Sequence, residues 1–325
     1  MGFIDVFNGD ADGICALHQL RLAEPREAEL ITGVKRDIGL LKRVNAEAGD
    51  LVTVLDVSLD KNRDDVVRLL DGGASVQYFD HHFAGEIPAS GKIETHINTS
   101  AEVCTSLLVN EYLQGKYLPW AVTGAFGDNI FDSAYRAAAP LGLDELQMGQ
   151  LERLGTLINY NGYGLSVDDL YCAPDVLYQE ISPFEDPFAF IEESQTFEQL
   201  DQGYASDIAQ ARALPAEIEE ERVKVMMLPD AAWTRRVSGV FGNELARIAP
   251  ERAHALMTVL PNDDFRVSVR APLSNKSGAD HLCIQFPTGG GRKAAAGINA
   301  LPADSVDAFI AAFRDQYEFD RPENR

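Results

Sequence analysis

The chain has 325 residues, 46% hydrophobic and 24% charged, with a formal net charge of −23. That length suits two domains with a core each. No apolar run reaches membrane-spanning length, and no basic segment precedes an apolar one at the N-terminus, so the expectation is a cytoplasmic protein without membrane contact. Four scattered cysteines (Cys15, Cys104, Cys172, Cys283) form no CxxC pair, which argues against a zinc knuckle or a disulfide framework. Residues 1–219 hold 14 Lys/Arg against 37 Asp/Glu, and residues 220–325 hold 14 of each. Sequence-independent nucleic-acid affinity comes from Lys and Arg neutralising phosphates, so long DNA or RNA is an unfavourable partner.

In chain order, "FIDVF" (Phe3–Phe7) reads as a strand, followed by "GDADG" and a helix in "ICALHQLRLA". "LVTVLDVS" is a second strand, and "KNRDDVVRLLDGG" a helix closed by glycine. "ASVQYFD" is a third strand, "SAEVCTSLLVNEYL" a helix, and "LPWAVTGAFGDNIFD" a buried helix entering a polar loop. Strand–helix alternation predicts an α/β domain, a parallel sheet with helices on both faces. From Ala173 the chain becomes acid-rich, Arg212 being the only basic residue up to Glu219, and reads as a helical connector. "RVKVMMLP", "AHALMTVLP", "DFRVSVRAP" and "HLCIQFP" are then strand-like, with the helical "GNELARIA" among them and a terminal amphipathic helix in "SVDAFIAAFRDQY". The expected division is a first domain over 1–172, a connector over 173–222 and a smaller α+β domain over 223–325.

In a doubly wound sheet, ligands bind beyond the carboxyl ends of the strands. Three of the strands put acids there: Asp10 and Asp12, Asp56, and Asp80 with His81 and His82; Asp128 follows the apolar helix. Each residue has a plainer role open to it. Asp10 and Asp12 suit a turn or an N-cap, Asp56 a cap (though Ser58 is the more natural one), the histidines a loop, and Asp128 a loop acid. Taken together they imply clustered carboxylates, which repel one another unless something cationic holds them. Mixed Asp and His ligands suit Mn²⁺ better than Ca²⁺ or a thiolate zinc site.

The motifs "GDADG", "LDVS", "FDHH" and "GDNIFD", in that order, resemble the DHH phosphoesterase superfamily, which includes RecJ-like exonucleases, nanoRNases, cyclic-dinucleotide phosphodiesterases, exopolyphosphatases and family II pyrophosphatases. "GGGRKAAAGIN" is similar to the glycine-rich signature of the accompanying DHHA1 domain. The resemblance implies a phosphoesterase holding two Mn²⁺ ions, with Mg²⁺ as the alternative. Asp10 and Asp56 would hold one ion; Asp12, Asp56, His81 and Asp128 would hold the other. Asp80 would orient a histidine, His82 would face the substrate, and a hydroxide bridging the ions would attack. Two positions depart from the pattern. Where many members carry a ligating histidine four residues before Asp10 this chain has Val6, and where RecJ-like members have an acid it has Asn8, a weaker ligand. The signature GGGH reads Gly289, Gly290, Gly291, Arg292, with Lys293 after it.

Consecutive glycines let backbone N–H groups converge on an anion, and Arg292, Lys293 and Arg270 would add charge for a phosphate. A helix packed behind this loop over "AAAG" is the expected local structure. The expected substrate is a short oligonucleotide, a dinucleotide or another small phosphoester. The alternatives are phosphoanhydride hydrolysis of polyphosphate or pyrophosphate, and a non-catalytic sensor with a reduced metal site. A homodimer is compatible with the sequence. His18 and His254 read as packing or surface residues, while His96 and His281 stay open. "NYNGYG" (Asn159–Gly164) reads as a turn with core tyrosines rather than a base-stacking platform.

Overall fold

The computed structural model describes residues 1–318, so the end of the 223–325 domain lies outside the described residues. The chain forms two compact units, Met1–Gly203 and Tyr204–Arg325. The first contains β1 (Phe3–Phe7), α1 (Ala11–Ala23), β2 (Glu29–Ile31), β3 (Leu51–Leu55), α2 (Leu59–Asp71), β4 (Ser75–Asp80) and β5 (Ile93–Ile97). The helices α3 (Thr105–Tyr112), α4 (Leu118–Gly127), α5 (Phe131–Ala138), α6 (Glu145–Asn161), α7 (Pro174–Ile181) and α8 (Pro187–Glu193) follow, and α9 (Gln195–Ala213) runs across the division.

All five strands are parallel, in the order β2-β1-β3-β4-β5. Alternate residues serve opposite faces. Ile4, Val6, Val52, Val54, Val76 and Tyr78 pack with Val66, Leu69 and Leu70 of α2. The other face carries buried Phe7, Leu55 and Phe79, and α1 and α3 contact the sheet. A bidentate ion pair is buried there: Arg21 donates to Asp5 at 2.7 and 2.8 Å. The strands β2 and β5 are not legible in the sequence; β2 has three residues, and β5, "IETHI", is a partly polar edge.

The helix α4 is buried over almost its whole length and contacts both α1 and α6. A Cβ on Gly127 would lie 2.2 Å from the Ala11 Cβ and 2.8 Å from the Gly155 carbonyl. Only glycine allows that approach, which sets Asp128, the C-cap of α4, beside the start of α1. The acid-rich segment is helical and its first part packs within this unit. Trp120 Nε1 donates to the Glu185 carbonyl at 2.8 Å, and Phe190 is fully buried.

The second unit contains β6 (Ile218–Glu219), β7 (Val223–Leu228), α10 (Ala232–Ile248), β8 (Ala253–Val259), β9 (Phe265–Arg270), α11 (Ala279–Cys283), β10 (Gly289–Arg292), β11 (Ala295–Leu301) and α12 (Val306–Glu318). Its sheet order is β10-β11-β9-β8-β7-β6, antiparallel except for β7–β8, which α10 joins. The core includes Val225, Met257, Val267, Ile298, Phe309 and Phe313. Two local expectations are corrected. The segment "HLCIQFP" is not a strand: its first three residues lie in α11 and the rest form a turn. The glycine run is not a loop backed by a helix: Gly289–Arg292 is the edge strand β10, paired with the small residues of β11. Glycine and alanine have low strand propensity, so hairpin hydrogen bonds rather than side chains define these strands.

His18 lies buried in α1, its Nε2 2.8 Å from the Phe184 carbonyl and its ring edge-on to Trp120 at 4.6 Å. Burial lowers its pKa from 6.5 to about 4, against a smaller opposing effect of the carbonyl. The folded state therefore favours the neutral ring. The stability this confers is complete above pH 6.5 and is lost as pH falls from 6.5 toward 4. At 1.36 kcal/mol per pKa unit, the loss between pH 7.5 and 5 is about 2 kcal/mol. Urea unfolding at those two pH values should show a drop smaller by about that amount in His18→Phe; equal drops would contradict it.

Candidate metal centre

In the order β2-β1-β3, the first connection leaves β1 in one direction and the next returns past it, so a crevice opens at the carboxyl ends of β1 and β3. Residues from four loops meet there. Asp10 is the N-cap of α1, its Oδ1 accepting from Gly13 N at 3.1 Å. Asp12 accepts from Thr105 N and Ser106 N, both at 2.7 Å. It thereby caps α3, whose own N-cap residue, Cys104, makes no side-chain cap bond.

Asp56 follows β3 with a left-handed φ of 58°, a conformation Asp tolerates better than most residues. Its N–H donates to the Phe79 carbonyl at 3.0 Å, and Thr105 Oγ1 donates to its Oδ1 at 3.2 Å. Ser58 stands at the N-cap position of α2 but makes no cap bond. At the end of β4, Asp80 Oδ1 accepts from His81 N at 2.9 Å and from His82 Nδ1 at 2.7 Å.

His81 Nδ1 donates to the Val103 carbonyl at 2.9 Å. Its Nε2 is then the exchangeable position, 3.4 Å from Asp56 Oδ1 and 3.8 Å from Asp128 Oδ2. This is the arrangement a ligating histidine needs, one nitrogen anchored and the other aimed at the site. Val6 lies fully buried in the sheet core. Asn8 donates to the Lys35 carbonyl at 3.4 Å. Lys35 itself carried no signal in "ITGVKRD" that set it apart from Arg36. Its ammonium is paired with Asp10, 2.9 Å from Asn159 Oδ1 and 3.6 Å from Asp128 Oδ1.

The electrostatics follow from burial and like charge. Burial, then the fields of Asp10 and Asp12, push the Asp56 carboxyl well above the carboxylate range. Burial also raises Asp128, Lys35 only partly offsetting it. For Asp10, burial acts upward too, but Lys35 and the Gly13 amide outweigh it and hold the carboxyl low. Burial would lower His81; hydrogen bonding to Asp56 and the fields of Asp56, Asp12 and Asp128 prevail and raise it to about 10. Two buried oxygens at the strand ends, Asn8 Oδ1 and Asp80 Oδ2, have no donor.

Donor atoms of Asp12, His81 and Asp128 lie within 4.8 Å of one another, as do those of Asp56, His81 and His82. The first set fits a divalent cation better, because His82 Nδ1, 3.8 Å from Asp56, already engages Asp80. A carboxylate cluster only partly compensated by Lys35, with one aimed imidazole, is the chemistry of a site for a borderline-hard ion. The structure thus brings together Asp10, Asp12, Asp56, Asp80, His81, His82 and Asp128. His96 is elsewhere, stacked on Phe79 at 4.5 Å.

Among the phosphate-ligand candidates, which all lie in the second unit, Arg292 and Lys293 are exposed. Gly290 and Gly291 are exposed as well, and Gly289 is partly so. Arg270 is braced internally, donating to Asn243 Oδ1 at 2.7 Å and Ser268 Oγ at 2.9 Å. No helix among the described residues is long and apolar enough to cross a membrane.

The architecture has solved counterparts. RecJ from Thermus thermophilus in complex with Mn²⁺ is similar over 96% of this chain and 51% of its own, with a TM-score of 0.64 and 18% identity. The chain thus spans about half the length of that protein. Exonuclease RecJ bound to manganese matches over 96% and 89%, with a TM-score of 0.61 and 17% identity. The pGpG-specific phosphodiesterase PggH from Vibrio cholerae matches over 97% and 98%, with a TM-score of 0.55 and 14% identity. No family model matches the sequence, and no curated protein matches it. At such identities the likeness speaks for the fold alone: the chain has the fold of the DHH phosphoesterases.

Without an ion, the Asp56–His81 pair retains a proton near neutral pH, which an incoming cation must displace. Mn²⁺ binding should therefore release about one proton, and apparent affinity should rise up to about tenfold per unit between pH 6 and 8. Calorimetry in buffers of different ionisation enthalpy measures this. A binding enthalpy independent of buffer would rule it out.

Proposed function

We propose that the chain is a Mn²⁺-dependent phosphoesterase that cleaves short nucleotide substrates, dinucleotides or oligonucleotides of a few residues. The observation that carries this reading is the Asp12–His81–Asp128 cluster, with Asp56 against His81, at the switch point of the parallel sheet. Asp12, Asp56, His81 and Asp128 would hold the cation. When bound, it supplies Lewis-acid charge for a phosphoryl oxygen and lowers the pKa of water.

The remaining work falls to the chain's own groups. Asp80 fixes the His82 ring through Nδ1, leaving Nε2 of this half-exposed side chain as the free nitrogen. That atom is the one to neutralise charge on a phosphoryl oxygen or to pass a proton to the leaving oxygen. Asp80 is a positioning residue, buried with one oxygen committed to both the His81 N–H and the His82 ring. In the second unit, the exposed Arg292, which ends the glycine strand, and Lys293 after it are offered as phosphate ligands in their own right. The acidity of residues 1–219 favours short substrates over long polyanions.

With Mn²⁺, the purified chain should hydrolyse dinucleotides and 2–5-mers in preference to polyphosphate offered in competition. Asp56→Ala should abolish turnover, and His82→Ala should lower kcat by about 100-fold or more. Full activity in Asp56→Ala would refute the reading; preference for polyphosphate would move the substrate to phosphoanhydrides.

A further inference from the structure

The Lys35 ammonium lies among three oxygens from separate elements: the N-cap Asp10, Asn159 of α6 and the α4 C-cap Asp128. Two of these are carboxylates of the strand-end cluster. Asp10 is already matched by a charge, one oxygen accepting from Gly13 N and the other from the Lys35 ammonium, whereas Asp12 meets only the neutral amides of Thr105 and Ser106. Asp128 is shared, its Oδ1 toward Lys35 and its Oδ2 toward His81. The lysine and the Asp12–His81–Asp128 cluster are therefore neighbours across one carboxylate.

The backbone is built to bring the lysine in. Lys35 sits on the loop that leaves β2, so this short strand also contributes its carboxyl end to the crevice. A Cβ on Gly9 would lie 2.0 Å from the Gly33 carbonyl, so the loop can press against the β1 end only where no side chain intervenes. Lys35 N donates to the Gly162 carbonyl at 2.8 Å, and its own carbonyl accepts from Asn8. The ring of Tyr163 lies 5.8 Å from the ammonium. Asn8, at a position where an acid would recruit an ion, instead braces the loop that delivers an ammonium.

We infer that Lys35 is a built-in cation that takes the place of one divalent ion at Asp10, so that this chain binds a single exchangeable metal ion, at Asp12, Asp56, His81 and Asp128. This rests on the phosphoesterase reading and changes its ion count. A tethered ammonium neutralises Asp10 and part of Asp128 at every metal concentration. The site then depends on one dissociable ion, with no cooperativity in metal.

Mn²⁺ stoichiometry, counted by electron paramagnetic resonance of the free ion and checked by calorimetry, tests this without any substrate. Wild type should bind one ion and Lys35→Ala two. Asp10→Asn added to Lys35→Ala should return the count to one, and circular dichroism should show that both variants are folded. Two ions in the wild type, or one in both wild type and Lys35→Ala, would overturn the assignment of Lys35 while leaving a metal-dependent phosphoesterase intact. No ion in the wild type would instead remove the phosphoesterase reading itself.

Discussion

Carboxylates crowded at one sheet edge are the constraint to which the rest of the first unit responds. Asp10, Asp12 and Asp56 are each at most 2% exposed, and Asp128 is half-buried beside them. Two unit charges 4 Å apart interact by roughly 4 kcal/mol at an effective dielectric of 20, so such a group cannot stay ionised without partners. The fold supplies three kinds. Backbone amides at helix starts receive Asp12 and Asp10, Lys35 receives Asp10, and His81 receives Asp56. What these leave uncompensated, chiefly on Asp56 and Asp128, a divalent ion can take up.

Meeting that constraint shapes local structure in places that look unrelated to it. The helix α3 begins where it does because a carboxylate from α1 caps it across space. Asp56 is held at a positive φ, a conformation costing on the order of 1–3 kcal/mol, and hydrogen bonds from its own N–H and from Thr105 offset that cost. The close passage of Gly127 against Ala11 and Gly155 brings Asp128 within reach. Ion binding at this cluster would be coupled to folding, because the groups that could hold an ion also cap helices and fix turns.

Much of this was readable from residue types alone. Acids and histidines at the ends of β1, β3 and β4 stand out because strands alternate and their ends are few. The parallel sheet followed from the regular exchange of strand and helix. Lys35 was not readable, since nothing local marks a lysine whose partners lie 25 and 124 residues away. Nor was the double use of Asp10, which caps α1 and also pairs with Lys35, where the sequence had set a cap against a metal ligand. The glycine run misled for a different reason. Its pairing with β11 is a backbone property, and a strand without large side chains carries no alternating pattern to detect.

The basic residues of the first unit complete the electrostatic argument. Arg21, Arg43, Lys61, Arg63, Arg136 and Arg153 each face a carboxylate, at 2.6 to 3.6 Å. Most of these pairs are at the surface and add little stability, but each cancels a charge that could otherwise have drawn a phosphate. Lys35 is likewise committed. At the strand-end cluster itself, attraction for an anion would then come from a cation held there and from the half-exposed His82. The excess of acids over bases in residues 1–219 would repel a polyanionic segment that extends beyond that point, so a long chain would gain little from its additional phosphates. For the proposed phosphoesterase, a preference for short substrates would follow from where the positive charge is concentrated, before any pocket shape is considered.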